Sequence, residues 1–160
     1  MADRLTRQKR SWNMSRIRSG NTKPEKVVRS LLYAMGYRYR LHRKDLPGKP
    51  DIVLSKYKTA IFVHGCFWHR HPGCKNATTP KSNAEFWNTK LSENVERDRK
   101  KQSDLECIGW NVVTVWECET EKSSAEASAI LRARISGPAT KPAYDDLLMV
   151  AEKRSEYMED

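Results

Sequence analysis

Two short apolar runs constrain this chain more than any other feature. Thr59-Ala60-Ile61-Phe62-Val63 and Val112-Val113-Thr114-Val115 lack the polar alternation of a strand with one wet face. Unbroken runs of this length read as strands buried on both faces, which need helices packed above and below them. The flanking segments supply such helices. Thr22-Lys23-Pro24-Glu25 reads as a capping box, with Thr22 at the N-cap and Pro24 tolerated in the first turn. Val27, Val28, Leu31, Leu32 and Met35 follow at helical spacing, and Gly36 offers the stop. A second capping box at 82–85 opens a long helix through Phe86, Leu91, Val95 and Leu105 to Gly109. A last helix over 125–135 ends before Gly137-Pro138. Further strands are expected at 37–41, where tyrosines alternate with basic residues, and at 51–54; the second buried strand spans 110–116. The order α-β-β-β-α-β-α predicts an α/β fold, a small mixed sheet flanked by helices.

The chain has 160 residues, enough for one domain with a real core. Residues 21–136 carry the periodic patterns. From 137 to 160 periodicity is weak, with a short docking helix expected at 147–150. Residues 1–20 are basic and polar, and read either as a flexible arm or as an arm that orders on nucleic acid. The formal charge of +10 is concentrated in the first third. Residues 1–50 hold 14 Lys/Arg against 3 Asp/Glu, and the remainder holds 16 against 17. Such asymmetry points to a polyanionic partner. No apolar run is long enough to span a membrane, and the basic start lacks the apolar stretch of a secretory signal. The expected address is the cytoplasm.

In a reducing compartment, four cysteines read as packing, metal ligands or nucleophiles. Cys66, His71 and Cys74 sit on a loop rich in Gly and Pro, and Cys118 follows the last strand. Three thiolates and an imidazole form a closed zinc set, which would be structural. Cys107 lies inside the long helix and reads as a small core residue. Two strands joined by a tight turn would bring Asp51 near His64 at the end of the next strand. A carboxylate and a backbone carbonyl at such a place hold Mg²⁺ against a phosphate in strand-borne nucleases. His69 could take a proton from the attacking water, and Glu25 could add a carboxylate to the metal's water shell. Phe67-Trp68, between the two histidines, together with Trp87 and Met14, could wedge between base pairs.

Several motifs, in order over residues 7–118, resemble the very-short-patch repair (Vsr) mismatch endonucleases. They are Arg10-Ser11-Trp12-Asn13-Met14, Thr22 with Glu25, Leu46-Pro47-Gly48-Lys49-Pro50-Asp51, Phe62-Val63-His64-Gly65-Cys66-Phe67-Trp68-His69, Glu85-Phe86-Trp87, Asn94-Val95-Glu96-Arg97-Asp98, and the segment from Gly109-Trp110 to Trp116-Glu117-Cys118. The His-Gly-Cys-Phe-Trp-His run is the most specific of them. The resemblance implies a restriction-endonuclease-like fold with structural zinc. It also implies Mg²⁺-dependent nicking of double-stranded DNA 5′ to the thymine of a T·G mismatch. Such mismatches arise when 5-methylcytosine deaminates, so a cytosine-5 DNA methyltransferase is the implied companion. Contact with mismatch-repair proteins, a monomeric state and association with the nucleoid through DNA are further implications. Carried over, Asp51 and the Val63 carbonyl would bind Mg²⁺, His64 and His69 would orient and activate water, and Glu25 would support them. Met14, Phe67, Trp68 and Trp87 would be wedges, while Lys90 and Asn94 would contact bases or backbone. Val63 stands where the family carries Thr, which keeps the carbonyl and loses a hydroxyl. The run from His69 to Cys74 is less His-rich and one residue longer than in the family.

Three rival readings follow from the residues alone. A restriction-type nuclease would cut fully paired DNA, and a zinc-stapled module would bind DNA without cutting it. A His-metal-finger nuclease would use His64, His69 and His71, but lacks the further Asn or His expected on a following helix.

Overall fold

The computed structural model describes residues 5–136. The expected helix at 147–150 lies outside the described residues. The segment read as an arm contains a helix, α1 (Arg7–Ser15), capped by Thr6, whose Oγ1 accepts from Lys9 N at 3.3 Å. Good helix formers and a hydroxyl cap account for it. None of its residues is buried. Helix α2 (Lys23–Ala34) starts as its capping signal predicts: Thr22 Oγ1 accepts from Glu25 N and donates to Glu25 Oε1. It buries Val28 and Leu32, and Gly36 turns the chain with φ +86°.

The sheet has four strands: β1 (Arg40–Leu41), β2 (Ile52–Leu54), β3 (Thr59–His64) and β4 (Asn111–Trp116), in the order β1-β2-β3-β4. The β1-β2 and β2-β3 pairs are antiparallel, whereas β3 and β4 run parallel. The strand expected at 37–41 shrinks to two residues. Tyr37 and Tyr39 pack against the core from the preceding loop, and Leu41 is exposed on the sheet edge. Trp110 lies just before β4. A 3₁₀ turn (Ser55–Tyr57) joins β2 to β3.

The double burial read from the apolar runs holds for β3; in β4, at the end of the sheet, Val113 and Val115 are buried while Val112 and Thr114 are half-buried. Ile61, Val113 and Val115 face Val28, Leu32, Leu131 and Ile135 on the side of α2 and of the helix at Ser124–Ile135. Ala60 and Phe62 face Leu105, with Ile108 and Val112 packed against them, on the opposite side of the sheet. Helix α3 (Ala84–Cys107) forms the crossover from β3 to the parallel β4, as parallel pairing requires. Its expected capping box is not formed. Asn83, with φ +55°, stands at the N-cap and its side chain makes no capping bond. Asn accepts the left-handed region at low cost, so the preceding loop enters the helix without a hydroxyl cap. Phe86, read as part of the apolar stripe, is 57% exposed because this first turn runs past the sheet. Cys107, read as core, is half-buried in the last turn of α3. A short helix α4 (Glu117–Thr120), without a sequence signal, precedes α5 (Ser124–Ile135) and carries Cys118. Arg134 of α5 bonds Glu119 through both Nη atoms and donates to Thr114 O at 2.7 Å, tying α4 back to the sheet.

Candidate active site and metal centres

A cleft of about 1160 Å³ opens where β3 ends and β2 begins. Asp51, Glu25, Val63, His64 and His69 all line it, although they come from α2, strand β3, the residue just before β2 and the loop after β3. The register explains part of this convergence. The β2-β3 ladder ends at Ile52↔Ile61, so Val63 projects past β2. Asp51 fills the space beyond the ladder, and its Oδ2 accepts from Val63 N at 2.8 Å. The N–H and C=O of one residue in an antiparallel strand face the same edge, which puts the Val63 carbonyl on the Asp51 side.

Asp51, Glu25 and His42 bring donor atoms within 4.8 Å of one another. Glu25 is 2% exposed and held by three donors: Asn21 N at 3.0 Å, Thr22 Oγ1 at 3.2 Å and Arg29 Nη2 at 2.8 Å. Burial pushes the Asp51 carboxyl above its ordinary range; the Val63 N–H opposes this and the Glu25 carboxylate adds to it. Two crowded, partly desolvated carboxylates beside a backbone carbonyl fit a hard divalent cation, which takes oxygen donors and neutralises their repulsion.

On the other side of the cleft, His64 and His69 stack with ring centroids 3.9 Å apart and planes 5° from parallel. His69 Nδ1 lies 2.5 Å from Asp98 Oδ2, and His64 Nε2 lies 3.9 Å from Asp98 Oδ1. Burial opposes ionisation of Asp98, but the His69 hydrogen bond prevails, helped by the nearby Lys101 ammonium, and holds its carboxyl below the usual range. An ionised carboxylate only accepts hydrogen bonds, so His69 Nδ1 is the donor, and in the neutral form of the ring Nε2 is the nitrogen with the lone pair. Burial lowers the His64 pKa to about 4, which leaves that ring neutral at pH 7.

The sequence reading gives no role to His42, nor to Asp98, although Asp98 ends one of the motifs quoted above. The signal for Asp98 was available: Lys90, Asn94, Arg97, Asp98 and Lys101 recur at helical spacing on α3, and all five line the cleft. His42 had no such signal, because its place depends on β1 pairing with β2.

Cys66, His71, Cys74 and Cys118 form a separate cluster with ligand atoms within 4.8 Å of one another. His71 Nδ1 lies 3.6 Å from Cys66 Sγ and 3.4 Å from Cys118 Sγ, and its ring stacks on Trp116 at 4.2 Å. Ligands of a tetrahedral zinc stand about 3.8 Å apart, so the spacing suits that ion. Burial pushes the Cys66 thiol up to about 12, and a thiolate there needs a cation beside it.

Phe67, Trp68 and Trp87 form one aromatic cluster, with centroids 5.1–5.9 Å apart. Phe67 and Trp68 line the cleft, as do Met14 and Ile17 from the segment containing α1. The loop bearing them is tied to α3. Asn94 Nδ2 donates to Trp68 O at 3.1 Å, and Arg70 bonds Asn88 and Ser92. Arg18, Lys23, Lys44, Lys49, Lys90, Arg97 and Lys101 make the remaining cleft wall strongly basic.

The sequence profile of DNA mismatch endonuclease Vsr matches residues 2–76. The chain is 52% identical over 119 residues to the type II nicking enzyme V.XorIIP of Xanthomonas oryzae, covering 74% of this chain and 87% of that protein. It is 49% identical over 136 residues to V.NmeAIP of Neisseria meningitidis, covering 85% and 93%. It is 45% identical over 118 residues to DNA mismatch endonuclease Vsr of Escherichia coli, covering 74% and 75%. By this similarity of sequence, the chain belongs to the Vsr family of DNA mismatch endonucleases.

Proposed function

We propose that the protein nicks one strand of double-stranded DNA 5′ to the thymine of a T·G mismatch, the first step of very-short-patch repair. The observation that carries this reading is the meeting, in one basic cleft, of the Asp51–Glu25 carboxylates, the His64–His69–Asp98 group and Phe67 and Trp68, with Trp87 packed behind these two outside the lining. A Mg²⁺ ion held by Asp51 and the Val63 carbonyl would supply Lewis-acid neutralisation of phosphate charge. His69 Nε2 accepts a proton from the attacking water, and Asp98 stabilises the imidazolium that results. His64, being neutral, lets its stacked neighbour become charged without repulsion. Water adds to phosphorus as the P–O bond to the departing strand end breaks. Phe67, Trp68, Trp87 and Met14 enter the base stack, where a mispaired step is least costly to open. Lys90 and Asn94 contact the duplex from α3. Zinc held by Cys66, His71, Cys74 and Cys118 would keep the loop bearing Phe67, Trp68 and His69 in shape.

The source of such mismatches makes a cytosine-5 DNA methyltransferase the functional companion. The test is a nicking assay on matched T·G and T·A duplexes with varied flanking bases, with and without Mg²⁺. Strand-specific nicking of T·G alone, abolished by EDTA and by Asp51→Asn, is the expected result. Cleavage of the fully paired duplex at equal rate would make the enzyme a restriction-type nuclease instead.

A further inference from the structure

Arg29 lies on α2 one turn after Glu25, behind the wall of the cleft and outside its lining. Its guanidinium forms a fork: Nη1 donates to Asn21 Oδ1 at 2.8 Å, and Nη2 donates to Glu25 Oε2 at 2.8 Å and to His42 Nε2 at 3.3 Å. Arginine has no acceptor, so this hydrogen bond uses the lone pair of His42 Nε2 and selects the tautomer of the neutral ring with its proton on Nδ1. One group thereby fixes a carboxylate, a ring tautomer and Asn21, whose N–H returns to Glu25 Oε2.

Exposed Glu–Arg pairs one turn apart contribute little and leave both side chains mobile. This pair differs, with the side chains 3% and 13% exposed and Asp51 in the same cluster. Arg29 Nε is buried without a hydrogen-bond partner among the described residues, so the fork is retained at a cost. We infer that Arg29 is a positioning residue for the divalent-cation site, holding Glu25 and His42 at their spacing from Asp51 while touching neither cation nor DNA. The inference rests on the reading above, in which Asp51 and Glu25 serve that cation.

The test is Mn²⁺ binding to the full chain, with its zinc cluster loaded and no DNA present, followed by electron paramagnetic resonance. Removing a polar partner behind a metal ligand weakens binding by about 10–100-fold, the loss expected for Arg29→Met. Deleting a positive charge would by itself tighten cation binding. Unchanged or tighter binding in folded Arg29→Met therefore overturns the inference. Arg29→Lys keeps the charge but cannot hold the whole fork, and is expected to recover part of the affinity. In nicking assays kcat falls while KM for the duplex stays near wild type, and Arg29→Met adds little to Glu25→Gln. If Arg29→Met fails to fold, Arg29→Lys carries the test, and wild-type Mn²⁺ affinity in that variant overturns the inference. Asp51→Asn separates the two readings. Intact Mn²⁺ binding there removes the cation site itself, whereas loss there with no loss in the Arg29 variants removes only the role of Arg29.

Discussion

His69 and Asp98 share one proton position, and the direction of that bond sets which nitrogen of His69 is basic. Asp98→Asn can present its amide N–H to Nδ1, which would move the ring proton to Nε2 and block proton uptake from water. Nicking by Asp98→Asn is therefore expected to fall by about 10²-fold or more, the range for losing a general base, with duplex affinity retained. Single-turnover rates and a binding titration check both parts. His64 makes a separate prediction about stability. Its folded pKa of about 4 lies below the ordinary value of 6.5, so the unfolded chain takes up the proton first as pH falls. The contribution is full above pH 6.5 and is lost between 6.5 and 4, on the order of 3 kcal/mol in total. Urea denaturation at pH 7.5 and 5 should show a smaller difference in His64→Gln than in wild type. An equal difference in both proteins would assign the acid sensitivity to other groups.

Among the elements, the turn before β2 is the one most closely coupled to the site. Gly48 adopts φ +73°, and a Cβ there would stand 2.6 Å from Lys101 Cγ and 2.7 Å from Lys101 Cβ. Gly48→Ala therefore carries the left-handed penalty of about 1–2 kcal/mol together with a clash against α3. Because Asp51 follows three residues later, the relaxation reaches the carboxylate that bonds Val63 N. Chemical denaturation is expected to show the stability loss, and Lys101→Ala in the same background to return part of it. The short edge strand β1 illustrates the limits of local pattern. Its alternation is present over 37–41, yet only Arg40 and Leu41 find partners on β2, because the tyrosines preceding them pack against the core instead.

Across the whole molecule, the basic first third and the cleft meet through the segment that holds α1. Met14, Ile17 and Arg18 line the cleft, while the helix has no buried residue of its own. Removing residues 1–20 is expected to flatten the salt dependence of duplex binding, by about 0.9 in the log–log slope for each phosphate that those residues neutralise. An unchanged slope would place those charges away from DNA. The Cys66–His71–Cys74–Cys118 cluster joins the loop after β3 to α4. Chelation of the zinc proposed there is expected to lower the melting temperature and to expose amides of residues 65–83 to hydrogen exchange, with β3 and β4 still protected. Loss of protection throughout would make the metal a condition of the entire fold.

The sequence by itself determined the features that act over a few residues. The apolar runs required a sheet covered on both faces, Thr22 and Glu25 began α2, and Cys66, His71 and Cys74 marked a candidate metal loop at close spacing. These patterns are legible because burial period, capping and ligand spacing are local. What pairs with what was decided only by the tertiary structure. The parallel β3-β4 pairing brings Cys118 to the metal loop, the packing of α3 brings Asp98 to His69, and the β1-β2 ladder sets His42 beside Glu25. Each of these contacts joins residues far apart in the chain, and its position follows from packing and strand register, which no single segment specifies.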